Sequence, residues 1–516
     1  MTIRKEDKNI LLITGGGLVL FLLTMLTVPI ADDWAYLTSP RIRSGYHIAY
    51  YRRFFDILIG LFNQRYPETF PWLNRILIVF THTLCAVFLY KIAKEMLNIR
   101  DKIALIFALL FLIGGNTIVT VVNYDCFNQT GSLMFGAIGI YLFAKTNSIV
   151  KKIIIYFMSC ILTLSVKEAG IVYFAIIPLF GFIKSINDGD FDLKTEIKTL
   201  AKFYVPGFIC ALAYYLSPII QSAQLWIYGM RNAPITSYIV GIARRLGFSY
   251  TQIDQTSIIA IIRNKIVTIE AVFTVICVLL SIPILLLSLS VFVKLAKDKI
   301  AKDKSKSAVV FLLIVLLSII VFTPTLIATP SGSIWSQNCI VFFANIAFAY
   351  LLNKTEGRAL NICVTAFVLS SIISATGLMY HCIQTGIRQD KAIEIIEAHY
   401  DSSKEVSTYK VFNLNANRAT KKSFYPVRLY TIQQIFDLGG AMVCIFGYNA
   451  KCSTVNLTND KFEYKGNKGA YPTYMQMTDD ELLTYAQSEA QNAVENDGYD
   501  LALVVLYTDK IYLYQK

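Results

Sequence analysis

Charged residues are scarce in this chain of 516 residues: Asp, Glu, Lys and Arg make up 16% of the sequence, whereas hydrophobic residues make up 55%. A soluble globular protein carries about a quarter charged residues, so the composition indicates a membrane protein and excludes a disordered chain. The four His residues match no zinc-ligand spacing. No glycine motif that would cradle a nucleotide phosphate follows a strand pattern, and no RNA-binding signature is present, which argues against nucleic-acid partners.

Long apolar runs are what the sequence has instead. A transmembrane helix needs roughly 20 predominantly apolar residues, and eleven runs are candidates to cross a bilayer. The runs are Ile10–Ile30, Ile76–Tyr90, Ile103–Val122, Gly131–Ala144, Ile153–Val166, Ala169–Ile183, Phe203–Ile220, Ile266–Val293, Ala308–Ile327, Ile340–Leu352 and Ala359–Tyr380. The sequence therefore predicts an all-α membrane fold, a polytopic bundle of about 11 transmembrane helices whose first span is an uncleaved anchor.

The distribution of Lys and Arg predicts the orientation. With the N-terminus in the cytoplasm, the inner segments carry 22 basic residues and the outer segments before the C-terminal part carry 12. The positive-inside rule favours this orientation, and an odd number of spans places the C-terminus outside. We predict a transmembrane domain at 1–380, with long outer loops at 31–72 and 221–265, and a small extracytoplasmic α/β domain at 381–516.

The C-terminal part shows the patterns of a mixed fold. Val406–Leu414 alternates like a strand, whereas Tyr430–Leu438 and Asp479–Val494 are typical of helices. Leu501–Tyr507 and Lys510–Tyr514 flank a Thr-Asp pair and predict a terminal β-hairpin. In the first outer loop, Ala49–Tyr66 mixes apolar and basic residues at helical spacing and predicts an amphipathic surface helix.

Two adjacent carboxylates, Asp32 and Asp33, follow the first span directly and precede Trp34. A carboxylate at the outer surface can act as the general base on an acceptor hydroxyl. The pair is equally compatible with a solvated end of the span, with Trp34 in the aromatic belt. In the next outer loop, Asp125 of the segment NYDCFNQTG is a second acidic candidate, although a turn Asp would fit that position too.

Lys167 and Glu168 interrupt the apolar stretch from Ile153 to Ile183. Because both flanking loops are rich in Lys, the stretch should cross the membrane twice, with the Lys-Glu pair at the outer tip. Each arm spans only about 21–23 Å at 1.5 Å per residue, short of a core of about 30 Å, so the tip is expected to dip into a polar cavity. A charged pair at that depth is more often functional than a self-paired turn.

Basic residues on the outer side are mostly Arg. Arg offers a planar fork that binds phosphate in bidentate fashion, although lipid head groups are an alternative partner for any single Arg. By outer position and phosphate chemistry, the candidates are Arg52, Arg53, Arg244 and Arg245.

The Asp-Asp pair, the acidic residue of the second outer loop and the Lys-Glu tip resemble the motifs of the GT-C superfamily of membrane glycosyltransferases. The likeness covers roughly residues 10–380 and is greatest to bacterial serotype-converting O-antigen glucosyltransferases, and more distant to protein O-mannosyltransferases and the lipid A aminoarabinose transferase. It implies transfer of a sugar, for which glucose is the prediction, from a polyprenyl-phosphate donor to an extracytoplasmic acceptor such as O-antigen or another cell-surface glycan. The implied location is the cytoplasmic (inner) membrane of a bacterium, where membrane lipids are further partners.

The resemblance also implies roles for single residues. Asp32 or Asp33 would deprotonate the acceptor, Asp125 would line the same cavity, Lys167 would neutralise the leaving phosphate, and Glu168 would place Lys167. No cofactor is required, although Asp32, Asp33 and Asp125 could hold a divalent metal ion as in some relatives. Two other classes stay open: a polysaccharide polymerase or ligase, which would not need the Asp-Asp pair, and a lipid-linked sugar transporter or flippase, which would usually show two similar halves.

Overall fold

A computed structural model of the protein describes residues 4–27, 54–122, 127–189, 193–216, 309–311, 313–314, 338–353, 357–415, 438–446, 449–458, 479–506 and 510–515. The described helices before residue 400 are α1 (Lys5–Thr24), α2 (Phe54–Arg65), α3 (Phe70–Lys91), α4 (Asp101–Ile113), α5 (Gly115–Val122), α6 (Phe127–Lys145), α7 (Ile149–Val166), α8 (Tyr173–Asp188), α9 (Leu193–Leu216), α10 (Asn338–Asn353) and α11 (Arg358–Ala398). The π-helical turn Ile92–Met96 extends α3, and the 3-10 turn Glu168–Val172 joins α7 to α8.

Four helical stretches within these described ranges are long and apolar enough to cross a membrane: Lys5–Thr24, Pro71–Met96, Ile149–Val166 and Gly170–Asp188. Each contains one of the predicted apolar runs or most of it, so the chain is a polytopic helical membrane protein. The predicted run 266–293 and most of 308–327 lie outside the described residues. The total of eleven spans therefore stays a prediction.

The predicted run Ile103–Val122 is not a single helix, and this corrects the sequence interpretation. α4 ends at Ile113, Gly114 takes an extended conformation, and α5 begins at Gly115. A break exposes carbonyl groups that need hydrogen-bond partners inside a membrane. His82 Nε2 lies 3.1 Å from the Leu112 carbonyl, and Thr117 Oγ1 donates to the carbonyls of Phe111 and Gly114. Side chains thus pair with the carbonyl groups at the break, and hydropathy alone cannot predict such pairing.

Polar side chains join the start of α1 to the end of α3 and the start of α4. Asp101 accepts hydrogen bonds from Tyr90 Oη at 2.6 Å and Asn9 Nδ2 at 3.0 Å, and forms ion pairs with Lys5 at 3.2 Å and Lys94 at 3.4 Å. Burial favours the neutral acid, but these hydrogen bonds and charges outweigh it and lower the pKa of Asp101 to about 2. We call this side of the bundle the Asp101 end.

The opposite side is the Lys167 end, which includes the last turn of α1 and the tip between α7 and α8. The Arg75 guanidinium at the start of α3 donates to the Thr27 carbonyl just beyond α1. Two basic residues that the sequence predicts to be cytoplasmic lie at the Asp101 end. There, Lys94 pairs with Glu6 and Lys145 pairs with Glu95. The orientation of the two ends in the membrane stays a prediction.

Glycines in α1 allow it to pack closely on neighbouring helices. A Cβ on Gly17 would overlap the side chain of Thr83 in α3, and a Cβ on Gly16 would approach Leu112 Cδ2 to 2.9 Å. A Cβ on Gly15 would meet nothing within 4 Å. Small residues at such contacts let helix backbones approach each other in a membrane.

Replacing Gly17 by Leu should lower the thermal midpoint of unfolding in detergent, because the added side chain cannot fit against Thr83. Overpacking of this kind costs about 1–3 kcal/mol. Gly15→Leu is the matched control in the same helix and should leave the midpoint nearly unchanged. Equal midpoints for the two variants would show that α1 does not pack against α3 through Gly17.

α11 is 41 residues long and, at 1.5 Å per residue, extends about 62 Å, roughly twice the thickness of the hydrocarbon core. Cys363 in its first half and Met379 near its middle belong to the core of the bundle. Ala392 and Ile396 near its end belong to a second core, beside the sheet described next. The predicted boundary at 380 thus falls inside one continuous helix, and the division into two domains stays a prediction.

Beyond residue 400 the described strands and helices are β1 (Ser407–Asn415), α12 (Leu438–Phe446), β2 (Ala450–Thr458), α13 (Asp479–Glu495), β3 (Leu501–Val505) and β4 (Ile511–Gln515). The strand order is β2-β1-β3-β4, with β1 parallel to both neighbours and β3 antiparallel to β4. The predicted strand near 406–414, the helix near 479–494 and the terminal hairpin are confirmed. The predicted helix at 430–438 lies outside the described residues except for Leu438.

Both faces of this sheet are covered, as parallel strands require. Tyr409 and Val411 pack toward α11 and α12, whereas Phe412 and Leu414 pack toward α13. The sheet contacts the bundle through α12, where the Cys444 thiol lies 3.1 Å from the Pro67 carbonyl just before α3. The C-terminal sheet therefore lies at the Lys167 end.

Candidate functional site

The structure describes one predicted site residue with its side chain, Lys167. Glu168 is described in its backbone, as the first residue of the 3-10 turn, and its side chain lies outside the described residues. The other seven predicted site residues also lie outside the described residues: Asp32, Asp33, Arg52, Arg53, Asp125, Arg244 and Arg245.

Lys167 lies at the turn between α7 and α8, as the sequence predicts. Its backbone is extended, with φ −150° and ψ 139°, so that α7 ends at Val166 and the 3-10 turn begins at the next residue. The Lys167 N–H donates to the Thr163 carbonyl at 2.9 Å, and the Gly170 N–H donates to the Lys167 carbonyl at 2.9 Å. These bonds satisfy the backbone at the tip and fix where the Lys167 side chain leaves the chain.

Gly170 makes this tight turn possible. A Cβ at this position would lie 2.7 Å from the backbone carbon of Thr163 and 2.8 Å from its carbonyl oxygen. Backbone atoms at that distance cannot move aside as the end of a flexible side chain can. Thr163 Oγ1 also donates to the Cys160 carbonyl at 2.8 Å, so this hydroxyl is paired within α7.

The side chain of Lys167 reaches the start of α6. Its ammonium donates a hydrogen bond to Asn128 Oδ1 at 3.2 Å, and Asn128 is buried. Asn128 belongs to the predicted outer-loop segment NYDCFNQTG, three residues after Asp125. The structure thus joins the Lys-Glu tip to the second predicted motif through a residue that the sequence analysis had not singled out.

Tyr173 and Cys339 lie next to this contact. The Tyr173 ring lies directly over Gly136 of α6, where a Cβ would overlap it. The Tyr173 hydroxyl is 3.9 Å from Cys339 Sγ at the start of α10, and the Lys167 ammonium is within electrostatic reach of the same thiol. The tip, the start of α6 and the start of α10 therefore meet at the Lys167 end.

This arrangement provides a fixed, half-buried cation held by a neutral amide among packed helices. An ammonium group in such surroundings can stabilise an anion more strongly than it could in water. A phosphate oxygen is the natural partner because Lys acts as a point-charge donor. The phosphate-binding role of Lys167 stays a prediction.

Asn128 and Tyr173 could have been found from the sequence only in part. Asn128 shares its loop with Asp125, which is a usable signal, whereas Tyr173 looks like any aromatic residue of a span. Among the residues that the structure describes, no three His, Cys, Asp or Glu side chains come together as metal ligands. The three carboxylates predicted for a metal ion lie outside the described residues, so metal dependence stays a prediction.

No protein-family model matches the chain, and no curated protein matches it. Among solved structures the chain is similar to the crystal structure of ArnT from Cupriavidus metallidurans bound to undecaprenyl phosphate, with a TM-score of 0.41 and 10% sequence identity. The alignment covers 96% of this chain and 92% of that chain. The GT-C resemblance therefore depends on the motifs of this chain itself.

Proposed function

We propose that the protein is a membrane glycosyltransferase that moves a sugar from a polyprenyl-phosphate donor to an extracytoplasmic acceptor. The observation that carries this proposal is the contact between Lys167 and Asn128, which brings the tip of the α7–α8 pair against the segment that follows Asp125. The last turn of α1, which leads to Asp32, lies at the same end of the bundle. Described residues that flank or belong to three of the predicted motifs thus lie at one end of the bundle.

Chain connectivity supports the same grouping. Asp125 precedes Asn128 by three residues in the sequence, and a stretch of that length spans at most about 11 Å. Asp32 is the fifth residue after Thr27, and this stretch spans at most about 18 Å. In this proposal an acidic base and the Lys167 ammonium serve one substrate.

The reaction is a single displacement at the anomeric carbon. The acceptor hydroxyl oxygen forms a bond to that carbon while the bond from carbon to the phosphate oxygen breaks. Asp32 or Asp33 takes the hydroxyl proton, and the bonding electrons leave with the polyprenyl phosphate, whose charge Lys167 neutralises. Glucose as the sugar, O-antigen as the acceptor and the Arg contacts to the donor belong to the same proposal.

The direct test uses purified protein in detergent with a polyprenyl-phosphate-linked sugar and a cell-surface glycan acceptor. Sugar transfer and release of free polyprenyl phosphate support the proposal, because detergent abolishes any vectorial transport. A polymerase or ligase would instead consume a pyrophosphate-linked oligosaccharide. A flippase would show neither transfer nor phosphate release, but would move the lipid-linked sugar across sealed vesicles.

The orientation in the membrane is a further prediction. The N-terminus and the Lys294–Lys306 loop should be cytoplasmic, and the C-terminal sheet should be outside, because the basic residues concentrate at the Asp101 end. Alkaline phosphatase fused after residue 516 should be active, whereas the same enzyme fused within the Lys-rich loop should be inactive. An active cytoplasm-specific reporter after residue 516 would contradict the odd number of spans.

A further inference from the structure

Asn338, at the start of α10, is a buried amide whose hydrogen-bonding groups are unused. Its side chain is 0% exposed, and neither Nδ2 nor Oδ1 has a hydrogen-bond partner. Buried polar groups are nearly always paired, because an unpaired group loses its bonds to water and gains nothing in return. A polar side chain kept in this condition indicates a partner that binds from outside the chain.

The position of Asn338 places it beside the candidate site. The next residue, Cys339, contacts the Tyr173 hydroxyl and lies within electrostatic reach of Lys167. One turn further along α10, the Phe342 ring packs edge-on against Phe111 of α4, with ring centroids 5.6 Å apart. Asn338 is thus at the Lys167 end, where α10 meets α8 on one side and α4 on the other.

The chemistry of the amide identifies the ligand group. Nδ2 can donate hydrogen bonds and Oδ1 can only accept them, and both atoms are unpaired. An ionised phosphate offers acceptors alone, so it would satisfy Nδ2 and leave Oδ1 without a donor. A sugar hydroxyl both donates and accepts, so one hydroxyl or two adjacent ones can satisfy the whole amide.

We propose that Asn338 binds a hydroxyl group of the donor sugar and is a specificity-determining residue of the transferase. This inference rests on the proposed function, and it adds which part of the donor is recognised: Lys167 contacts the phosphate and Asn338 contacts the sugar. Protein atoms cover the amide, so the proposal requires the side chains around Asn338 to move aside when the donor binds. A site that hydrogen-bonds a substrate hydroxyl discriminates strongly against an analogue that lacks it.

The chain offers a matched control two turns along the same helix. Asn345 is equally buried, but its Nδ2 donates to the Val341 carbonyl of its own helix at 2.8 Å, so only its Oδ1 is without a partner. Substituting Leu at either position removes one amide from α10 at nearly constant volume. Only the change at Asn338 should affect the choice of donor.

The experiment compares the wild-type protein, Asn338→Leu, Asn338→Ala and Asn345→Leu in detergent. The probes are polyprenyl-phosphate-linked glucose, mannose and N-acetylglucosamine, followed by the monodeoxy analogues of whichever sugar the wild-type protein transfers. For the wild-type protein we expect kcat/KM to fall about 10- to 100-fold for one deoxy analogue. Asn338→Leu should lower kcat/KM for the full sugar by a similar factor and lose the discrimination against that analogue.

The stability of the variants separates recognition from folding. Because Leu removes an unsatisfied buried amide, the thermal midpoint of Asn338→Leu should equal or exceed that of the wild-type protein. Asn338→Ala gives the same kinetic comparison if the Leu variant fails to fold. The inference is overturned if Asn338→Leu keeps both its kcat/KM and its discrimination against the deoxy analogue. It is also overturned if the variant loses activity and thermal stability but keeps that discrimination. If the wild-type protein transfers no sugar from any probe, the proposed function itself fails, which is a different result.

Discussion

Replacing Lys167 by Met should reduce sugar transfer by about 10²–10³-fold, the usual loss when one preorganised group that stabilises developing charge is removed. The ammonium is half-buried and held by Asn128 at 3.2 Å, so its loss leaves the developing phosphate charge without this fixed cation. The leaving polyprenyl phosphate gains negative charge as the bond breaks, so the loss should be mainly in kcat. Initial rates over a range of donor concentrations measure it.

Two comparisons make this prediction specific. Lys184→Met alters a lysine in α8 that pairs with Asp188 at the other end of that helix, and it should leave transfer unchanged. Lys167→Arg keeps the charge but changes its shape, and it should retain more activity than Met. Full activity in Lys167→Met would remove the phosphate-binding role, and equal losses in the Met variants of Lys167 and Lys184 would indicate a general effect on folding.

Replacing the base should have an effect at least as large. A positioned general base contributes typically about 10²–10⁴-fold, so either Asp32→Asn or Asp33→Asn should lose transfer on that scale. Adjacent residues point in different directions along a helix or strand, so only one of the two can face the acceptor, and we favour Asp33. The measurement is sugar transfer by membranes that carry each variant at matched protein level.

Asp7→Asn is the control for the Asp pair, because Asp7 lies at the opposite end of α1, where it pairs with Arg4 at 3.1 Å. It should leave transfer unchanged. Near-normal transfer by both Asp32→Asn and Asp33→Asn would remove the base from this loop. The next candidates would be Asp125 and Glu168, and the GT-C resemblance would lose its main support.

Several features of the structure were predictable because they depend on local sequence. Apolar runs such as Ile153–Val166 must become helices in a membrane, where every backbone group has to be paired within its own segment. The terminal hairpin follows from two strand patterns around a short turn, and the Lys-Glu tip follows from charge between two apolar arms.

Other features depend on partners that are distant along the chain. Gly114 interrupts an apolar run that looks continuous. The break is tolerated because His82 of α3, 30 residues before Leu112 in the sequence, reaches the Leu112 carbonyl. The order β2-β1-β3-β4 and the continuity of α11 across residue 380 depend on which surfaces α12 and α13 cover.

The sequence alone determined that the chain crosses the membrane several times, which end collects the basic residues, and which segments carry the candidate chemistry. These properties follow from hydropathy, charge and short motifs, each of which acts over a few residues. Only the tertiary structure decided that Asn128 holds Lys167 and that Asn338 lies at the same end of the bundle with its amide unpaired. The physical reason is that a hydrogen bond, or its absence in a buried place, depends on how separate helices pack, and no local pattern encodes that packing.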